Sequence, residues 1–569
     1  MRAASLLLVF AAAKTAALAG HHVPLSWWSP VAYLWQDALA ALVFAALEFA
    51  VGARRRACWA LYGLAALYVA INVPVVRALS TPLTWRMWRA AGGPLADSMR
   101  YYVTWSNALL FAFVLAVAAL APRALRRVPR RPLLVALALC AGLGPVAAAR
   151  VDTLGLERNP WLALVPRPAE SGATRSYSTS GFDRTPGEDL SRFRGAFAGR
   201  NIVMVSLEST AAQYVAPDVM PNLSRLAQNA IVFDNAYAAY PESVKGLFSV
   251  LCSAYPPFDS DAPSYAAAPC RSVAAMLSAA GYRTALFHSG RFIYLGMEAV
   301  VRHRGYDALA DAGDIGGNHH SSFGVDEPAT VARILAWIDA LPDGRRFFVT
   351  YLPIAGHHPY DSPQPGPFPD REEFDRYRNA LHYGDASLGT LIDGLRARGL
   401  ERKTLWVVYG DHGEAFGQHE GDYGHTFFLY DENVRVPFLI AAPGAIGSEV
   451  HCSRVVSLID SAPTLLDVVG LPAPGDYQGH SMLQPAPRMA LFFADYSLRM
   501  LGLRDGRWKF IYEVDSGRSR LLDIEHDPRE TTDLSPRHAA QARWYAENLR
   551  LFGLAAGRKT AGATSLHFE

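Results

Sequence analysis

The densest chemistry in the chain lies in seven residues, Val408-Tyr409-Gly410-Asp411-His412-Gly413-Glu414. The apolar run 404–409 reads as a buried strand, and it ends abruptly in Gly-Asp-His-Gly. A carboxylate and an imidazole are thereby set side by side at the carboxyl end of a strand, the edge where open α/β sheets bind ligands. Asp beside His is also a natural pair of oxygen and nitrogen donors for a divalent metal. A plain turn after a core strand would look the same over so short a stretch, so the rest of the chain has to decide.

Other polar residues stand at comparable places. Residues 201–207 form an apolar run that reads as a buried parallel strand, and Glu208 follows it directly. Ser243 lies in Tyr240-Pro-Glu-Ser-Val-Lys-Gly246, at the start of a helical stretch to Leu251, where free backbone N–H groups favour an anion. Run 347–352 leads to Gly356-His357-His358-Pro359-Tyr360, and His425 follows in Tyr423-Gly-His-Thr426. Further strands are expected at 231–234, 284–288 and 436–440, with helices at 220–230, 328–341 and 377–398. Strand and helix alternate, and polar residues gather at strand ends, which predicts a doubly wound α/β sheet. Glu208, Ser243, His358, Asp411 and His412 then come from separate loops on one edge. Glu, Asp and His suit a mixed oxygen and nitrogen metal shell. A serine oxygen in a fourth position would have its hydroxyl pKa lowered. Lys245 is placed to neutralise an anionic group, and His358 and His425 to protonate a leaving group or hold a phosphate. The chemistry is a ping-pong transfer of a phosphoryl or sulfuryl group through Ser243. His288 reads equally well as a structural histidine.

The elements that carry this edge occupy only part of the chain. A length of 569 residues exceeds one ordinary domain. The hydrophobic fraction of 51% and mean hydropathy of +0.08 are high for a soluble protein, and a net charge of +2 gives no support for nucleic acid as a partner. Five cysteines without a CxxC pair do not make a disulfide scaffold; Cys252 and Cys270 can bridge in an oxidising compartment, which spacing alone does not establish. Apolar stretches of membrane-spanning length occupy roughly 4–20, 31–52, 58–79, 104–121 and 132–149. With the amino terminus inside, Arg2, Arg54–56 and the Arg123–131 cluster all fall on the cytoplasmic side, and everything after Arg150 falls outside. Trp27, Trp28, Trp85 and Trp88 read as interfacial anchors, while Arg86, Arg89 and Arg100 run against the charge bias. The first span also reads as a signal peptide, which leaves the final side unchanged. Asp37, Glu48 and Asn72 are expected to face the bundle interior, bonded to one another or to a lipid head group. Residues 151–199, rich in Ser, Gly and Pro around Ser171 and Gly172, predict a linker or strap along the membrane surface.

From about Asn201 to Leu534 the chain resembles the sulfatase / alkaline-phosphatase superfamily. The stretches that carry the resemblance are Asn201-Ile-Val-Met-Val-Ser-Leu-Glu-Ser209, Tyr409-Gly-Asp-His-Gly-Glu-Ala-Phe-Gly417, Asn433-Val-Arg-Val-Pro-Phe-Leu-Ile440 and Ser457-Leu-Ile-Asp-Ser-Ala-Pro-Thr-Leu-Leu-Asp467. Asp505-Gly-Arg-Trp-Lys-Phe-Ile511 and Leu521-Leu-Asp-Ile-Glu-His-Asp-Pro-Arg-Glu530 resemble the small carboxy-terminal subdomain of sulfatases. Sulfatases begin with adjacent aspartates where this chain has Glu208-Ser209, and carry Cys-or-Ser-x-Pro-x-Arg where it has Ser243-Val-Lys-Gly-Leu247, without Pro or Arg. Together with the amino-terminal spans, these departures make the chain similar to membrane-anchored lipoteichoic acid synthases and phosphoethanolamine transferases, with Ser in place of their Thr. The apolar spans give five membrane helices (1–150) and the polar stretch a linker (151–199), while the resemblance implies a sulfatase-like sheet domain (200–535) with a small α+β subdomain, followed by a terminal helix and tail (536–569). It implies Glu208, Ser243, Asp411 and His412 as ligands of Zn, Mn or Mg, with His358 binding substrate and Lys245 and His425 assisting. The expected reaction moves phosphoethanolamine or phosphoglycerol from a phospholipid to an envelope glycan or lipid, at the outer face of a bacterial inner membrane. The alternatives are a membrane-anchored sulfatase or phosphodiesterase, and a non-catalytic lipid-binding regulator.

Overall fold

The computed structural model describes residues 2–22, 25–51, 55–79, 81–90, 103–165, 176–185, 187–258, 262–318 and 323–558. Arg54, Arg100, the linker residues 166–175 with Ser171 and Gly172, and the tail 559–569 lie outside the described residues.

Among the described residues, four helices are long and apolar enough to cross a membrane: Ser29–Val51, Arg56–Arg77, Trp105–Ala124 and Arg130–Ala148. The expected first span is the 17-residue helix Arg2–Leu18. At 1.5 Å per residue it falls a few ångströms short of a ~30 Å hydrocarbon core. It nevertheless packs within the bundle, with Leu6, Val9 and Phe10 in one cluster with Phe44, Tyr62 and Val69. The acidic groups of the bundle that the structure describes pair with opposite charges, as burial in an apolar medium favours. Lys14 pairs with Asp37 at 2.7 Å, Arg2 with Glu48 at 2.6 Å, and Asn72 joins the Tyr68 carbonyl to the Leu83 amide. Trp27 is almost wholly exposed and Trp85 and Trp88 are about half exposed, as aromatics at a membrane interface are.

The large domain is a sheet covered on both faces. Its strands are β1 (Asn201–Leu207), β2 (Ala230–Tyr237), β3 (Arg283–His288), β4 (Ala308–Ala310), β5 (Phe347–Leu352), β6 (Thr404–Gly410), a small hairpin of β7 (Ala415–Phe416) and β8 (Tyr423–Gly424), β9 (Arg435–Val436), β10 (Phe438–Ala441) and β11 (Val450–Ser457). The main order is β11-β2-β10-β6-β1-β5-β3-β4, with β9 beside β2. β6, β1, β5, β3 and β4 pair in parallel, and β10 runs against both of its neighbours. Alternate residues of one strand enter opposite cores: Ile202 and Met204 join one, Val203, Val205 and Leu207 the other. Helices Ser243–Cys252, Val273–Ala279 and Ser461–Val468 cover the first face, and Glu327–Asp339 and Glu373–Ala397 the second. Each fully buried aliphatic side chain adds about 1.5–3 kcal/mol, so this double cover fixes the register of the strands and where they end.

Four antiparallel strands, β12 (Ala490–Ala494), β13 (Met500–Asp505), β14 (Trp508–Glu513) and β15 (Ser519–Asp523), with helix Ala539–Arg558, make the small carboxy-terminal subdomain. Of the described linker, residues 151–165 pack on the membrane bundle, where Asn159 donates to Asp37 and Leu156 joins Ala17 and Val76, and residues 177–183 run along the small subdomain. The Ser178 amide donates to Asn548, Phe182 packs on Trp544 and Tyr545, and its amide donates to Asp505. The membrane bundle docks on the same side. Leu79, Leu83 and Met87 pack with Phe427, Phe428 and Leu429, and Arg158 donates to Ser497 and Arg518 to the Ala148 carbonyl.

Candidate functional site

β1 and β6 are adjacent and parallel, so Glu208 and Asp411 leave the sheet side by side. The turn after β1 is strained: Ser209 has φ of 51°, in the left-handed region. It is held there by its amide on Asp411 Oδ1 (3.0 Å), its hydroxyl on Glu208 Oε1 (3.1 Å), and Tyr377 donating to its carbonyl (2.6 Å). Such strain persists only where the surroundings enforce it. Two glycines allow the close approach of neighbouring loops. A Cβ on Gly413 would lie 2.0 Å from the Glu432 carbonyl oxygen, and one on Gly356 would lie 2.1 Å from that of Glu208.

Ser243 opens helix Ser243–Cys252, whose first amides, Val244 and Lys245, are capped by the Glu242 carboxylate. The Ser243 hydroxyl lies 3.0 and 3.2 Å from the two Glu208 oxygens and 3.2 Å from His412 Nε2. His412 Nε2 is 3.5 Å from Asp411 Oδ2 and 3.7 Å from Glu208 Oε1. His412 Nδ1 donates to the Gly413 carbonyl at 2.9 Å, which leaves the Nε2 lone pair facing the cluster. Glu208, Asp411 and His412 each bring a ligand atom within 4.8 Å of the others. Burial, then the charge of Asp411, pushes the Glu208 carboxyl well above its usual range. Two buried carboxylates with an oriented imidazole and a hydroxyl fit a divalent cation, which would compensate their charge.

A further tier adjoins this cluster. Glu414, buried, accepts from Tyr360 and faces His425 Nδ1, both at 2.6 Å, and the His425 ring stacks on His412 with centroids 4.0 Å apart. Burial alone would lower the His425 pKa, but Glu414 outweighs it and holds the imidazole above its ordinary value. Burial would likewise raise Glu414, yet His425 and Tyr360 hold it below the usual carboxylate range.

The sulfatase family pattern matches residues 200–471. Residues 200–471 form a sulfatase domain. A second pattern, that of the N-sulphoglucosamine sulphohydrolase carboxy-terminal region, matches residues 420–545. Bovine (Bos taurus) arylsulfatase K is 32% identical over 174 residues, which are 27% of this chain and 31% of that protein. Lipoteichoic acid synthase 2 of Bacillus subtilis is 26% identical over 302 residues, 49% of this chain and 46% of that one. The chain thus spans about a third to a half of the length of these relatives. In structure it is similar to a lipoteichoic acid synthase of Listeria monocytogenes (TM-score 0.54, 18% identity, 64% of this chain and 94% of the other). It is equally similar to an alkaline phosphatase superfamily protein of Vibrio parahaemolyticus (TM-score 0.54, 20% identity, 68% and 91%).

Within the sulfatase domain, Glu208, Ser243, Asp411 and His412 meet as the sequence predicts, and His425 lies beside them. Lys245 does not point there. Two residues along a helix turn a side chain by about 200°, and the Lys245 ammonium sits on Asp495 of the small subdomain at 2.8 Å, over the Tyr240 ring. Of the paired histidines, His357 rather than His358 faces His425, with ring centroids 6.5 Å apart. His358 turns its Nε2 toward Glu373 at 3.6 Å and its ring edge toward Tyr360. Burial drives the His357 pKa down to about 4, so it stands neutral beside the site. His288 Nδ1 meets the Leu352 carbonyl at 3.0 Å, a contact that suits a structural histidine. Sequence reasoning missed Glu414, Tyr360, Ser209, Glu242 and His357. For Glu414 the signal was present, two residues after His412 at the same turn. The Cys252–Cys270 disulfide forms, tying the end of the Ser243 helix to the following loop.

Proposed function

We propose that the chain is a membrane-anchored phosphotransferase that takes phosphoethanolamine or phosphoglycerol from a phospholipid onto Ser243 and passes it to an envelope glycan or lipid. The observation that carries this reading is the placement of Ser243. Its hydroxyl contacts Glu208 and His412, in a segment without the Pro and Arg of the sulfatase modification motif. The membrane helices lend support: β8, directly before His425, lies against helix Arg55–Leu79, and His21 reaches Glu420 at 2.8 Å. A donor held in the membrane then meets the site at high effective concentration.

Glu208, Ser243, Asp411 and His412 would hold a divalent ion, which supplies charge to lower the hydroxyl pKa and offset a phosphoryl group. With its proton lost to water, Ser243 Oγ attacks phosphorus in line, and the bond to the lipid alcohol breaks. His425, kept protonated by Glu414, gives that alcohol its proton. An acceptor hydroxyl then attacks phosphoserine, the bond from phosphorus to Ser243 Oγ breaks, and the acceptor's proton passes to His425. The disulfide and the basic clusters favour placing the domain outside the cytoplasm, at the periplasmic or outer face of the inner membrane.

The second reading is hydrolysis of sulfate or phosphate esters, favoured by the match to arylsulfatase K. Incubating the full-length protein with headgroup-labelled phospholipids, followed by peptide mass spectrometry, separates the two. A head-group phosphate on Ser243 that an added acceptor discharges supports transfer. Formylglycine at residue 243, or a Ser243→Ala variant with full activity, sinks it.

A further inference from the structure

A second group of metal-type donors lies in the loop between β6 and β10, apart from the site at Glu208. His419, Asp422 and Glu432 each bring a ligand atom within 4.8 Å of the others. His419 Nδ1 is 2.5 Å from Glu432 Oε1, and its ring lies flat on Tyr430 with centroids 3.5 Å apart, which fixes its direction. Asp422 is 1% exposed and Glu432 4%. Asp422 Oδ1 accepts from the Asn433 amide at 3.2 Å, whereas Asp422 Oδ2 and His419 Nε2 are buried without a hydrogen-bond partner.

The charges around this group do not balance. Beyond Glu432, the charges of Glu414 and Glu530 act on Asp422, and both are acidic. Lys509 is divided between Asp431 and Glu530 at 2.7 Å each, and Arg520 turns to Asp152 and the Tyr430 hydroxyl. Among the described residues, no lysine or arginine pairs with Asp422 or Glu432. Two buried carboxylates with only one imidazole between them, and an oxygen without a donor, are costly unless a cation or protons complete the set.

We propose that His419, Asp422 and Glu432 form a second divalent-cation site, separate from Glu208, Ser243, Asp411 and His412, that fastens the loop from residue 413 to residue 433. One nitrogen and two carboxylates suit zinc or manganese, with water in the remaining positions. The role is structural. The same loop closes on itself through the Gly413 amide on the Asn433 carbonyl and the Gly417 amide on the Asp422 carbonyl, both at 2.8 Å. It carries His425 to the active site and Glu420 to His21 of the membrane bundle. An ion at its neck holds both.

The test uses full-length protein in detergent, purified with zinc or manganese, desalted, and measured for bound metal. Disabling the first site with Glu208→Gln and Asp411→Asn should leave about one ion per chain, and adding Asp422→Asn or His419→Gln should remove it. X-ray absorption on the Glu208→Gln/Asp411→Asn protein, in which the second site is untouched, should show one imidazole with oxygen ligands. That measurement does not depend on whether the Asp422 or His419 variants fold. Metal-free Glu208→Gln/Asp411→Asn protein would overturn the proposal and assign the group to shared protons. Metal content indifferent to Asp422→Asn and His419→Gln, or a bound ion without an imidazole ligand, would overturn it equally.

Discussion

Replacing Glu414 by Gln isolates the group that sets the charge of His425. Glu414 is 2% exposed and makes two short contacts, 2.6 Å to His425 Nδ1 and 2.6 Å to the Tyr360 hydroxyl. An exposed pair of this kind would contribute about 0.2–1 kcal/mol, whereas breaking a buried one costs about 3–5 kcal/mol. The His425 side chain is 18% exposed, so the lower end applies, about 3 kcal/mol. At about 2 °C per kcal/mol for a domain of this size, Glu414→Gln should lower Tm by about 6 °C. His425→Asn should cost less, because Glu414 keeps Tyr360. The double variant should fall short of the sum by about 1.5 kcal/mol or more, the coupling of a direct contact. The pH dependence has a definite sign. His425 is raised from 6.5, so its share of the pairing energy is complete below 6.5 and is lost as pH rises through the higher folded value. Glu414 is lowered from 4.5, so its share is complete above 4.5 and is lost as pH falls through the lower folded value. Stabilisation by the pair is therefore greatest between these ordinary values. In Glu414→Gln only the charges of Asp411 and Glu242 still support protonation of His425 against its burial, and the alkaline limb of the proposed head-group transfer should move to lower pH. Strictly additive Tm changes, with an unshifted pH–rate profile, would refute the coupling and the acid role of His425.

Three further outcomes follow from the same geometry. Lys245→Met should cost about 3 kcal/mol by removing the opposite charge from buried Asp495, which keeps the Tyr240 hydroxyl, and Lys245→Met with Asp495→Leu should recover part of that in a thermal melt; recovery of stability without recovery of activity would return Lys245 to the chemistry. Chelation with EDTA, or Asp411→Asn, should reduce formation of the Ser243 adduct by at least about 100-fold while the circular dichroism spectrum is kept; full adduct formation in either case would remove the metal from the reaction. His357 has its pKa lowered from 6.5 to about 4, so folding opposes its protonation. Stability should fall as pH drops from 6.5 toward 4, by at most about 3 kcal/mol because the side chain is only partly buried, and His357→Asn should flatten that slope in acid melts.

The parts of the molecule legible in the sequence are those set by runs of one residue class. The apolar runs 201–207 and 404–409 return as β1 and β6 almost unchanged, because a strand buried on both faces needs nothing but apolar side chains and a break at its end. The run 436–440 is divided instead into β9 and β10 at Pro437, which has no amide to give the ladder. That β10 runs antiparallel is a long-range choice with no local mark. The same division holds in the site. Glu208, Asp411 and His412 each follow a strand directly, so the ends of neighbouring parallel strands bring them together whatever the loops do. Lys245 and His358 had the right chemistry at the right element, but which way a side chain leaves a helix start or a proline turn depends on what fills the opposite side, here Asp495 and Glu373. His425 is the most distant case. It reaches His412 only because the loop from 413 returns on itself at Asn433 and rests on the membrane bundle through β8 and Glu420. The placement of His425, the proposed proton donor, therefore belongs to the chain with its membrane bundle rather than to the sheet domain alone. An excised sheet domain should keep the Glu208, Asp411 and His412 cluster while losing the contacts that hold His425 over it.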